Sequence, residues 1–181
     1  VLHAFTSLGY TPKKTVKGGV LVCLGGAAEN DAVLLESHVD TLGGMVCEIR
    51  DSGRLRLSPL GGLEPNNADV RVVTKFSGVY EGCFQLDDAS VHVNGKYHEK
   101  ARSFDGMEVV LDENVHSKED TKALGISAGD IVCFEPRARV TKNGYIKSRF
   151  LDDKLSVAIL LGYAKYLKER HIIPKRKLWV H

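Results

Sequence analysis

Ala32-Val33-Leu34-Leu35-Glu36-Ser37-His38-Val39-Asp40-Thr41-Leu42-Gly43-Gly44 is the stretch whose reading decides the fold. Its apolar start reads as a buried strand, and its end runs out into glycines. A strand points residues i and i+2 to one face, so His38 and Asp40 are expected side by side where it finishes. Far along the chain, Arg149-Phe150-Leu151-Asp152-Asp153-Lys154 sets two adjacent carboxylates before an amphipathic pattern. Leu155, Ile159, Leu160, Tyr163, Ala164 and Leu167 recur at spacings of three and four, which predicts a helix from about Lys154 to Arg170. Together, a strand ending in a histidine and paired aspartates before a helix suggest half of a metal site.

Between them the texture is different. Gly18 to Gly25 and Ala32 to Glu36 read as two strands joined by the polar turn 26–31, a hairpin leading into the site strand, with a third strand at Met45 to Arg50. Beyond Asp51-Ser52-Gly53, short strands alternate with turn signals at Leu55 to Leu57, Val70 to Thr74, Ser77 to Cys83, Ser90 to Val93 and Glu108 to Leu111. Asn94-Gly95 is a hairpin signal. Ser117 is placed to cap a short helix with Asp120 at its third position. Ile131 to Glu135 and Arg137 to Val140 read as further strands, and Asn143-Gly144 as a tight turn. The expected layout is an α/β catalytic domain in two parts, 1–52 and 147–181, interrupted by an all-β, barrel-like insertion at 53–146.

Composition narrows the function. Charged residues make up 27%, hydrophobic residues 43%, and the net charge is +2, which gives no reason to expect nucleic acid. The basic run Lys165 to Lys177 falls on a helix end, where cations suit the dipole. Cys23, Cys47, Cys83 and Cys133 sit apart inside apolar segments and form no CxxC pair. They are expected to be buried, reduced thiols of a cytoplasmic protein. No apolar run approaches the roughly 20 residues of a membrane span. The sequence starts without Met, and a strand begins near Leu178 just before it stops, so residues are expected to be missing on both sides.

Imidazole and carboxylate are good ligands for divalent zinc, cobalt or manganese. In such a site His38 ligates, Asp40 orients the ring from behind, and Asp152 can bridge two cations. The plainer readings are a chance His-x-Asp and an aspartate N-cap. His92 and His98 flank the Asn94-Gly95 turn as a surface pair, and His116 and His171 read as exposed. The glycine doublets match no nucleotide-binding pattern, and no serine or cysteine nucleophile motif is present.

Taken in order, Glu36 to Val46, Gly129-Asp130-Ile131-Val132 and Ile146 to Lys154 resemble successive motifs of the M42 metallo-aminopeptidases. That family includes the glutamyl, deblocking and tetrahedral aminopeptidases. The resemblance implies that His38 and Asp152 are metal ligands, Asp152 bridging two divalent ions, zinc or cobalt, and that Asp40 is the supporting catalytic residue. It also implies a cis peptide between Asp152 and Asp153, removal of N-terminal residues from peptides by metal-activated water, and a homo-oligomer built from dimers, up to a dodecamer. Many members carry glutamate where this sequence has Thr41. The family's general-base glutamate, its neighbouring glutamate ligand and the later aspartate and histidine ligands fall beyond Leu178, so the chain alone is expected to be inactive. Two other readings stay open: a binding or oligomerisation module with a vestigial site, and a metal-dependent hydrolase acting on another bond.

Overall fold

The computed structural model describes residues 1–181, apart from the side chain of Glu29. Along the chain come α1 (Leu2–Ser7), β1 (Lys13–Lys14), β2 (Val20–Gly25), β3 (Ala28–Leu35), β4 (Gly43–Ile49), β5 (Leu55–Leu60), β6 (Ala68–Val73) and β7 (Val79–Leu86). A 3-10 turn at Phe104–Gly106 leads to β8 (Met107–Leu111), α2 (Lys118–Ala123), β9 (Ile131–Phe134), β10 (Arg139–Val140), β11 (Ile146–Lys147), α3 (Leu151–Glu169) and β12 (Arg176–Val180). They form two compact units, Val1–Thr41 with Phe150–His181, and Leu42–Arg149.

The first unit is a four-stranded sheet of order β1-β2-β12-β3 with α1 and α3. β12 is antiparallel to β2 and parallel to β3. The expected hairpin between β2 and β3 is therefore not formed, because β12 lies between them. The connection is shaped for this. Gly26 has φ +138, and a Cβ there would meet Arg176 O at 2.3 Å, while the Ala27 and Ala28 N–H groups bond the carbonyls of Pro174 and Lys175. The strand that begins near the end of the chain thus has a neighbour on each side. Its inward residues Leu178 and Val180 pack with Val22, Leu24, Phe5, Tyr10, Ala164 and Leu167, and the Tyr10 hydroxyl donates to Ala164 O at 2.9 Å. α1 and β1, short and weakly patterned, carry no sequence signal that predicts them.

The second unit is a closed barrel in the order β4-β5-β8-β7-β6-β9. Strict alternation explains its filling: in β6, Ala68, Val70 and Val72 are buried and the residues between them exposed. Phe84, fully buried, lies edge-on to Phe134 at 5.3 Å and tilted against Phe104 at 5.4 Å. Glu108 is buried too, its charge answered by Arg50 at 2.8 Å and by Arg54. The unit starts at Leu42, before the expected boundary of 53, and ends at 149 rather than 146, because β4 pairs with β5 on one side and β9 on the other.

Two expectations fail, one within this unit and one across both. Ser90 to Val93 is not a strand but part of a run of turns. The Asn94 side chain bonds locally, donating to Asp88 O and accepting from the Lys96 N–H, which supports a turn in place of a ladder. The cysteines are not buried either: Cys47 is exposed and the other three half-exposed. Each alternates with an inward neighbour, as Cys133 does between Val132 and Phe134, so the apolar run concealed an outward position. In contrast, the α2 capping box forms as expected, with the Ser117 hydroxyl accepting from Asp120 N–H and the Asp120 carboxylate from Ser117 N–H.

Phe84→Ala should destabilise the barrel by about 3–5 kcal/mol through the cavity it leaves, measured by denaturant unfolding followed at barrel amides. The Asp120 carboxyl lies below its usual pKa, held there first by the His116 N–H and then by the Ser117 hydroxyl and N–H. A depressed carboxylate stabilises fully above its unfolded pKa and loses that contribution as pH falls through the folded value. Amide exchange in α2 should therefore accelerate on acidification below the ordinary carboxylate range, and Asp120→Asn should abolish that pH dependence.

Candidate metal centre

The candidate residues lie on two segments of the first unit. His38 and Asp40 are not on β3, which ends at Leu35, but in the extended loop after it. The parallel ladder with β12 fixes that loop: His181 N–H donates to Leu35 O at 2.9 Å and Ser37 N–H to His181 O at 3.1 Å. His181 Nδ1 also lies 3.0 Å from Glu36 Oε1. Asp152 and Asp153 stand at the start of α3, with non-helical backbone angles and a cis peptide bond between them, as the resemblance implied. Regular helix therefore begins at Lys154.

The two segments meet. His38 Nε2 lies 3.2 Å from Asp152 Oδ1, across 114 residues of sequence. On the other side of the ring, Nδ1 lies 3.1 Å from the backbone carbonyl of Asp40, while the Asp40 carboxylate is farther away at 3.5 Å. The nearer contact of Asp40 with the ring is thus its main-chain carbonyl, not its carboxylate. Both ring nitrogens face acceptors. With its proton on Nδ1, the ring turns a lone pair at Nε2 towards the carboxylate, and that pairing is satisfied in two ways. Either the ring is protonated on both nitrogens, or a cation takes the position between Nε2 and Oδ1. Two donors bound to one tetrahedral zinc at bond lengths of about 2.0–2.1 Å stand about 3.3 Å apart, so the donor pair fits such an ion.

Asp153, the second residue of the doublet, has the structural role. Its carboxylate accepts from the His38 N–H at 3.3 Å and from the hydroxyl and N–H of Ser156. It caps the helix and ties the loop to it at once, and the Ser156 hydroxyl is the foremost cause of its lowered pKa. The aspartate N-cap offered by the sequence as the plainer reading of the doublet describes Asp153, through its bonds to Ser156. A cavity of about 400 Å³ opens beside His38, with an apolar floor from Phe5, Val20, Val157 and Leu160 and polar walls from Lys17, Ser37 and His181. The Asp152 and Asp40 side chains are 95% and 91% exposed, so these charges act through solvent. Among the described residues, no three His, Cys, Asp or Glu side chains gather around one point. His92 and His98 show no such gathering.

A family model described as M42 glutamyl aminopeptidase matches residues 18–180. The chain belongs to this family. M42 membership accounts for the order of the motifs and for the barrel between them. YhfE of Bacillus subtilis (strain 168), a protein named as an aminopeptidase, is 43% identical over 148 residues, covering 80% of this chain and 43% of that protein. Among solved structures, the aminopeptidase of the archaeon Desulfurococcus kamchatkensis superposes with a TM-score of 0.80 at 22% identity, over 98% of this chain and 47% of that one. The Pyrococcus horikoshii TET1 peptidase, described as able to assemble into a tetrahedron or a large octahedral shell, gives 0.76 at 24%, over 99% and 52%. These likenesses establish the M42 fold, and the chain spans about half the length of the relatives it matches.

Desolvation, the largest single influence on His38, pulls its pKa down, but the Asp40 carbonyl, the Asp152 carboxylate and the charges of both aspartates together raise it above the usual histidine value. A raised histidine stabilises fully below its unfolded pKa, and that contribution is lost as pH rises through the folded value. In metal-free protein, NMR titration should place His38 above an ordinary histidine, and Asp152→Asn should bring it down. An unchanged titration in the variant would separate the two side chains in solution.

Proposed function

We propose that this chain is the part of a metal-dependent M42 aminopeptidase that carries His38 and Asp152 as ligands of a two-cation centre, with Asp40 as the residue that positions the histidine. The observation that carries this reading is the 3.2 Å approach of His38 Nε2 to Asp152 Oδ1, with Nδ1 already engaged by Asp40 O. Family membership supports the peptidase class, and the donor set of one imidazole and one carboxylate suits zinc or cobalt.

Divalent cations held there would act as Lewis acids on a peptide carbonyl and lower the pKa of water to about 7. The chain's own residues supply the scaffold for that chemistry. His38 donates from Nδ1 to the Asp40 carbonyl, which keeps Nε2 free to bind. The Asp40 carboxylate adds negative charge behind the ring and makes it a better donor to metal. Asp153 holds the loop against α3, so that Asp152 faces the imidazole. The cavity beside His38, apolar below and polar at its walls, is where an N-terminal residue of a peptide would be received.

A catalytic zinc usually takes three protein ligands, and the chain brings two. Further ligands and the general base would come from sequence outside these 181 residues, which makes the chain by itself inactive while the full-length peptidase trims peptides from the N-terminus. The parent would be a homo-oligomer, as the Pyrococcus horikoshii TET1 peptidase is described to be. Free thiols at all four cysteines suit a reducing, cytoplasmic setting. Among the described residues no helix is long and apolar enough to cross a membrane.

Cobalt titration, followed by visible absorption and calorimetry, tests the site. The unaltered chain should bind weakly, His38→Ala and Asp152→Asn should each weaken binding by about tenfold or more, and Asp40→Asn should weaken it less, since the main-chain contact survives. Equal affinities across the series would remove the assignment. With cobalt or zinc added, the chain should not hydrolyse aminoacyl p-nitroanilides above a blank.

A further inference from the structure

Two sequence signals stand outside the metal centre and the cores: Asn94-Gly95 and Asn143-Gly144, whose asparagines alone in the chain precede a glycine. An asparagine followed by glycine can lose its side-chain amide without an enzyme. The glycine nitrogen attacks the asparagine Cγ, because no Cβ shields it and its backbone is free to bring it there. The rate then depends on how the fold holds that nitrogen and that carbonyl. The two pairs differ in both respects.

Asn143-Gly144 forms the tip of the β10–β11 hairpin, where the nucleophile is tied. The Gly144 N–H donates to Thr141 O at 2.9 Å, the Thr141 N–H to Tyr145 O at 2.8 Å, and the Tyr145 N–H to the Thr141 hydroxyl at 3.0 Å. Asn94-Gly95 lies in the run of turns between β7 and β8, and there the side chain is held and the nitrogen free. Asn94 Oδ1 accepts from the Lys96 N–H at 3.0 Å, and Nδ2 donates to Asp88 O at 3.2 Å. Among the described residues the Gly95 N–H has no hydrogen-bond partner, and a Cβ on Gly95 would meet open space. An asparagine oxygen bonded to the N–H two residues on folds the side chain over the intervening peptide, so Cγ is turned to the Gly95 nitrogen. The Lys96 N–H also draws charge from that carbonyl and stands where an oxyanion develops.

We propose that Asn94 is a site of spontaneous deamidation, set apart from Asn143 by this geometry. Solvent base removes the Gly95 N–H proton, the nitrogen bonds to Cγ, and the Cγ–Nδ2 bond breaks as the amide nitrogen takes up a proton and leaves as ammonia. Water then opens the cyclic imide at one of its two carbonyls, giving aspartate or isoaspartate, and nothing is oxidised or reduced. The product carboxylate has no donor for Asp88 O, and it stands beside Asp87 and Asp88, whose charges Lys100 answers. Isoaspartate also lengthens the main chain by a methylene. The segment 88–100 therefore loosens as the protein ages, while the barrel strands keep their ladder. This inference goes beyond the aminopeptidase reading and does not use it.

Peptide mapping by mass spectrometry, with fragmentation that separates aspartate from isoaspartate, follows both sites in the 181-residue chain incubated at neutral and mildly alkaline pH. In the folded chain Asn94 should convert on the order of tenfold or more faster than Asn143, whose turn must first open. In denaturant the two rates should draw level. The rate at Asn94 should rise with pH, since its nucleophile must lose a proton. Gly95→Ala, which the open space and ordinary φ of Gly95 admit, should slow Asn94 by about tenfold or more and leave Asn143 unchanged. In the aged chain, amide exchange at Lys96 and Tyr97, whose N–H groups bond Asn94, should accelerate while that of β6 and β7 stays the same. Equal rates at the two sites of the folded chain, a faster Asn143, or a rate indifferent to pH would each overturn the proposal. So would a difference that survives in denaturant, an Asn94 rate unmoved by Gly95→Ala, or exchange at Lys96 and Tyr97 that conversion leaves unaltered.

Discussion

The backbone pairing of β12 between β2 and β3 is the constraint on which the first unit depends. It supplies the middle of the sheet and buries Leu178 and Val180 beneath the helices. It also carries main-chain hydrogen bonds past the end of β3, through His181, into the loop that holds His38. The imidazole is therefore aimed by a sheet, although it does not lie on a strand. Asp153 does the corresponding work from the helix side, where one carboxylate serves as cap and tether. Two side chains far apart in sequence meet because a ladder fixes one and a helix start fixes the other.

The insertion is compatible with this because of where it leaves and returns. The chain passes out of the first unit after Thr41 and re-enters it at Phe150, so the residues that face one another, His38 and Asp152, sit just outside the two crossing points. The barrel between them closes on its own hydrogen bonds and fills its own core. Variation in the barrel's loops is then separable from the geometry of the histidine and the aspartate.

Much of this is legible in the sequence, and the remainder is hidden for physical reasons. Periodicity marks α3 and its start at Lys154, and Ser117 with Asp120 marks α2, because both signals are local. The order of the His-x-Asp and Asp-Asp motifs points to the pairing that the structure displays. A β2–β3 hairpin is the natural reading of two neighbouring strands, and it fails because nothing local says that a third, distant in sequence, will come between them. The cysteines mislead because in a short apolar run an outward thiol and an inward valine look alike. The strand expected at Ser90 to Val93 loses to asparagine side-chain bonds within the turn. Asp40 does lie beside the ring, but the nearer contact comes from its carbonyl, which every residue possesses and no sequence pattern advertises.

The position of β12 has a bearing on how the polypeptide acquires its shape during synthesis. Every strand of the barrel lies between Gly43 and Phe134, so that unit can close while the ribosome is still adding the helix and strand beyond it. The sheet cannot: Cys23 finds its partner only at Trp179, and until then β3 and the side of β2 away from β1 lack a ladder partner. Long-range pairing of this kind is slow and exposes aggregation-prone backbone. The nascent chain thus carries a finished barrel in the middle of an unfinished sheet.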